Sequence, residues 1–82
     1  MNIEERIKKD IKLFNQNIER IEKFKFNKQI KEVIELSKMY ASDAGSYFEK
    51  KDYYTAFSCI SYAHGLLDAV VKIDEENIKS AL

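Results

Sequence analysis

The run from Asp52 to Asp68, Asp-Tyr-Tyr-Thr-Ala-Phe-Ser-Cys-Ile-Ser-Tyr-Ala-His-Gly-Leu-Leu-Asp, constrains this chain more than any other. In it and just after it, Ala56, Phe57, Ile60, Ala63, Leu67 and Val70 recur at three- and four-residue spacing. That period puts them on one face of an α-helix. The face is too apolar to stand in water, so the rest of the chain must cover it. The same run holds the one His, the one Cys, one of two Gly and three of five Tyr.

The cover is helical as well. Pro is absent and Gly occurs twice in 82 residues. Long helices tolerate that scarcity, whereas sheets joined by tight hairpins need more turn residues. A first helix is predicted over about 2–24, with Asn2 as N-cap and Glu4 and Glu5 in the first turn, where the helix dipole favours negative charge. Ile7, Ile11, Phe14, Ile18 and Ile21 form its apolar seam. Asn27 caps a second helix over about 28–50. One stripe of that helix is Ile30, Ile34, Ser37, Ala41, Ala44 and Phe48; a second is Val33, Leu36, Tyr40, Asp43 and Tyr47. Two stripes predict a helix that touches two neighbours. Gly45 inside it costs about 1 kcal/mol relative to Ala, which predicts a close approach by another backbone.

Asp52 caps the third helix, over about 52–72, and residues 74–82 open with a further capping signal, for a tail or a short fourth helix. Only two or three residues separate the second and third helices, and so short a connection makes them antiparallel neighbours. The fold expected is all-α: one domain over 1–82, an antiparallel up-down-up three-helix bundle with room for a short fourth helix.

Composition narrows the function. Cys59 is alone, so there is no disulfide, and a lone Cys without a signal peptide fits a reducing cytoplasm. Uninterrupted apolar runs are only a few residues long, against the roughly 20 needed to span a bilayer, which argues against a membrane role. Lys and Arg total 14, as do Asp and Glu, so no global field attracts nucleic acid. The charges are unevenly spread: residues 1–38 hold ten basic against seven acidic, and residues 39–82 four against seven. Arg20, Lys23, Lys25, Lys28 and Lys31 form a local basic patch interrupted by Glu22 alone. A solvated helix end is the commoner meaning of such a run.

Few residues offer chemistry. His64 and Asp68 are four apart on one helix face and could ligate a metal or act as an acid–base couple. Counting outward from the turn near Lys51, His64 comes level with Lys38 and Met39, and Asp68 with Ile34 and Glu35, a poor metal site. The structural alternative pairs Asp68 with Lys38 and leaves His64 at the bundle edge. No catalytic residue, cofactor or metal is expected. Cys59 reads as a small apolar packing residue. Asp43 interrupts the Leu36–Tyr40–Tyr47 stripe; as a buried carboxylate it would need a hydrogen bond, expected from the Tyr62 hydroxyl, with Tyr40 and Tyr62 level with each other. Gly65 comes level with Ser37, predicting close helix contact there.

From Tyr40 to Asp68 the pattern Tyr-x-x-Asp-Ala-x-x-Tyr-Phe-x-x-x-Asp-Tyr-x-x-Ala-Phe-x-x-Ile-x-Tyr-Ala-x-Gly-Leu-Leu-Asp resembles a small archaeal family known as domain of unknown function 357. The resemblance implies a small helical bundle and no particular reaction. The same segment is similar to a single tetratricopeptide repeat, with Ala44, Tyr47, Ala56, Ile60 and Ala63 at its packing positions. Asp43 stands where that repeat has Leu and Asp68 where it often has Pro, and a lone repeat is no solenoid, so no peptide groove is carried over.

Phe24, Phe26, Tyr53, Tyr54 and the Tyr40/Tyr47 stripe exceed what a three-helix core can cover. The function expected is therefore a non-catalytic module for binding another protein or a second copy of itself. The alternative is weak nucleic-acid binding, with Phe24 and Phe26 as stacking groups beside the basic patch.

Overall fold

Three side-chain caps set the helix starts. In this computed structural model, which describes residues 1–80 and side chains as far as Ile78, Asn2 accepts from the Glu5 amide, Asn27 from the Ile30 amide and Asp52 from the Thr55 amide. The elements that follow are α1 (Ile3–Ile21), α2 (Lys28–Glu49), α3 (Tyr53–Ile73) and α4 (Glu75–Ser80). The described residues contain no strand. Of the 74–82 segment, all but the last two residues are described, and they hold the short fourth helix.

α1 stops three residues before its predicted end. The Phe24 amide donates to the Ile21 carbonyl at 3.0 Å, a tighter turn than the α-helical ladder, and this swings Phe24 and Phe26 inward. The α2–α3 connection is tighter still. The Lys51 amide donates to the Phe48 carbonyl and the Asp52 amide to the Tyr47 carbonyl, each at 3.0 Å. This pair of bonds is the Schellman motif, with Lys51 at φ 64° in the left-handed position. Asp52 thus closes α2 with its amide and opens α3 with its carboxylate.

Cross-helix contacts fix the topology. Tyr40 and Tyr62 meet edge to face at 4.5 Å between centroids, and Phe48 meets Tyr53 at 5.5 Å, so α2 and α3 are antiparallel. Arg6 lies over the Phe57 ring, and further along the same helices His64 bonds to the Asp10 carbonyl, so α1 runs parallel to α3. Lys8 over Phe48 at one end and the Glu22–Lys38 ion pair at the other set α1 antiparallel to α2. The result is the up-down-up bundle, elongated at 41 × 23 × 16 Å.

The core uses the predicted seams. Ile7, Phe14, Ile18 and Ile21 are buried from α1, Ile34, Ser37, Ala41 and Ala44 from α2, and Ala56, Ile60, Ala63, Leu67 and Val70 from α3. Ser37 is the buried polar residue, and its hydroxyl donates to the Ile34 carbonyl at 2.6 Å. α3 packs on the other three helices. By length and composition α3 is also apolar enough to cross a membrane, a test that the central helix of a bundle passes as well.

Both glycine expectations are overturned. A Cβ on Gly45 or on Gly65 would meet nothing within 4 Å, and Gly65 is exposed. Gly65 is level with Ser37 along the axis but lies two residues from both Ala63 and Leu67. Two residues turn a helix through about 200°, so it points away from the bundle.

Candidate functional site

α1 covers one side of the α2–α3 hairpin and leaves the other open. α2 touches two neighbours, as its two stripes predict, α3 and α1, but the second stripe meets α3 alone and is otherwise open. On the open side Val33, Tyr40, Cys59 and Leu66 are half-buried between the two helices, while Leu36, Tyr47 and Tyr62 are 39%, 36% and 51% exposed. The Tyr40–Tyr62 ring pair bridges the hairpin at the middle of this surface. Lys50 stands over the Tyr47 ring at 5.6 Å, at the end near the turn.

Asp43 belongs to this face but is not buried. It makes no hydrogen bond to Tyr62, which corrects the expected register-fixing role. Its place at the outer flank of the stripe keeps the carboxylate in water. Asp43 does lie close enough to Cys59 to matter: burial chiefly, then the Asp43 and Asp52 carboxylates, push the Cys59 thiol above its ordinary pKa. A thiol held protonated in this way is a poor nucleophile.

His64 and Asp68 also part from expectation. His64, expected at the bundle edge, packs on α1: its Nε2 donates to the Asp10 carbonyl at 2.8 Å, and its ring stands edge-on to Phe14 at 5.6 Å. Lys38 pairs with Glu22 at 3.2 Å and Glu35 at 3.3 Å, so Asp68 has no partner there. The hydrogen bond to Glu22 is the main cause of a raised Lys38 pKa. Among the described residues no three His, Cys, Asp or Glu side chains converge as a metal site.

Tyr53 and Tyr54 separate. Tyr53 turns back beside Phe48 and Glu4, and burial first, then the Glu4 carboxylate, raise its phenol pKa. Tyr54 is 86% exposed. Arg20, Lys23, Lys25, Lys28 and Lys31 are all exposed around the α1–α2 turn. Phe24 and Phe26 there lean on each other, ring centroids 6.5 Å apart, above a cleft that Glu22 and Glu35 also line.

A second hollow lies on the opposite side of α3, where the ends of α1 and α3 meet α4. Asn17, Arg20, Ile21, Phe24, Leu67, Asp68, Val71 and Ile78 line it. α4 is held in place by Asn77, whose amide donates to the Lys25 carbonyl at 2.8 Å and to the Asp74 carboxylate at 3.0 Å. Reading the sequence missed this hollow. Its one signal was the Asp68 side of α3, where Val71 continues an apolar edge turned toward α1.

These features define a class: a small up-down-up helical bundle whose hairpin keeps a tyrosine-rich face open. The chain belongs to the family DUF357, proteins of unknown function, whose pattern matches residues 9–74. No curated protein matches the chain.

Proposed function

We propose that this protein is a non-catalytic self-association module in which two copies join through the open tyrosine face of the α2–α3 hairpin. The observation that carries the reading is the exposure of Leu36, Tyr47 and Tyr62 on one continuous face that α1 does not reach. Aromatic-rich surface of this kind is typical of protein interfaces.

Two further points favour a second copy as partner. A monomer of 9.6 kDa ordinarily exposes about 5,100 Å², whereas this molecule exposes 5903 Å². The elongated 41 × 23 × 16 Å shape accounts for extra surface of this kind, and it leaves a long flank with room for the roughly 800 Å² that each partner contributes to a standard interface. The face is also self-complementary: it carries hydroxyl donors on Tyr40, Tyr47 and Tyr62 and a carboxylate acceptor on Asp43. In a two-fold arrangement each Asp43 accepts from a tyrosine of the other copy. A reducing cytoplasm, suggested by the lone Cys59, and an archaeal cell are the setting of this reading.

Light scattering after gel filtration, over a concentration series, tests it. The native chain runs at twice its monomer mass, and Tyr62→Glu, which adds charge beside Asp43, returns it to monomer with its helical circular dichroism intact. A monomer at every concentration rejects self-association and turns the search to a different protein on the same face.

A further inference from the structure

The hollow at the α1–α3–α4 end is separate from the tyrosine face and has its own chemistry. Its volume is about 300 Å³, at the lower end of the roughly 300–1,000 Å³ of ligand pockets. Ile21, Phe24, Leu67, Val71 and Ile78 supply apolar walls from three helices and a turn. On the same lining stand three polar side chains, Asn17, Arg20 and Asp68. None of the three enters a hydrogen bond or ion pair among the described residues, although other charged residues nearby do, as in the Glu22–Lys38–Glu35 cluster.

A guanidinium and a carboxylate that share one apolar cleft without pairing leave both charges available to a guest. A purely apolar guest would draw water from both and return nothing. A plain anion satisfies Arg20 and is repelled by Asp68, and a plain cation does the reverse. A guest with both charges on one end and an apolar body on the other suits every part of the lining. We infer that the hollow binds a small apolar zwitterion, of which an α-amino acid with a large hydrophobic side chain is the simplest case. Its carboxylate accepts from Arg20, its ammonium donates to Asp68, and its side chain lies among Leu67, Val71 and Ile78. Asn17, half-buried beside them, has a donor and an acceptor for either charge. α4 forms one wall through Ile78, so the Asn77 bond to the α1–α2 turn helps to close the site.

Titration calorimetry of the full chain with L-phenylalanine tests this, with two analogues each lacking one charge: N-acetyl-L-phenylalanine, without the ammonium, and L-phenylalaninamide, without the carboxylate. At about pH 6 the α-amino group is protonated. Phenylalanine binds saturably, and each analogue binds about tenfold more weakly, the usual loss of one charge-assisted hydrogen bond. In Asp68→Asn, phenylalanine and its N-acetyl form bind alike; in Arg20→Gln, phenylalanine and its amide bind alike. Both substitutions are at exposed positions, so the fold is retained. Absence of saturable binding overturns the inference, as do analogues that match phenylalanine in the native chain or preferences that persist in both variants. Because these residues lie away from the hairpin's open face, failure here leaves the self-association result untouched, and the converse holds too.

Discussion

Lys51 occupies a backbone conformation that L-residues avoid. A left-handed residue other than Gly costs roughly 1–2 kcal/mol, and Lys51 has φ 64° in the Schellman position where Gly is usual. Gly also loses more chain entropy on folding, which takes back part of the gain. Lys51→Gly therefore stabilises the protein by about 0.5–1 kcal/mol in urea unfolding. A second residue-scale test concerns Cys59. Removing a negative neighbour lowers a thiol pKa, so Asp43→Asn speeds alkylation of Cys59 at a fixed mildly alkaline pH, and the native protein reacts more slowly than a free thiol. An unchanged rate in Asp43→Asn would place the Asp43 charge too far away to act. At this scale the caps were plain in the sequence, because Asn2, Asn27 and Asp52 each satisfy amides within three residues of themselves. Asp43 was not, because whether a polar residue in an apolar stripe is buried depends on what packs over it.

Along the elements, two rotations matter more than any register. Axial level followed from the short connection, and it placed Tyr40 against Tyr62 correctly. It said nothing of direction around each helix, so Gly65 and Asp68 were assigned to α2 and His64 to the bundle edge, when Gly65 faces water and the other two flank α1. Gly65→Ala accordingly raises stability by about 0.5–1 kcal/mol, since a Cβ there meets nothing and Ala is the better helix former. A fall in melting temperature would restore the close contact that the open space denies. Lys38 is the element-scale charge, joining α2 to the last turn of α1 through Glu22. The pair is partly solvent-exposed, so Lys38→Met costs no more than about 1 kcal/mol. The Lys38 pKa is raised in the folded state. Its contribution is therefore full below the ordinary lysine pKa and is lost as pH rises through the folded value. The native and Lys38→Met stabilities, measured by urea unfolding, should converge at strongly alkaline pH and differ at neutral pH.

For the molecule as a whole, the seams of all three long helices and the antiparallel hairpin were legible because apolar period and connection length together leave little choice. The hollow beside α4 was not, because it is made by the ends of elements, where a sequence has no period to read. Self-association also has a whole-molecule signature. If the folded pair is the stable species, the melting temperature rises with protein concentration, whereas a monomer melts at one temperature throughout. Tyr62→Glu should remove that dependence.

Asp52, as both the end of α2 and the start of α3, has a consequence for the order of events on the ribosome. Two helices joined so closely pay little loop entropy to meet, and α2 can zip onto α3 as soon as α3 is made. α1 is made first and finished early, yet the helix it packs against most ends at Ile73, roughly fifty residues later, a few seconds at about 5–20 residues per second. During that interval only α2 is there to cover part of the Ile7–Phe14–Ile18–Ile21 seam. Of the three long helices α1 therefore waits longest for its main partner, and it is the one that a chaperone, or the α1 of a neighbouring molecule, has time to meet.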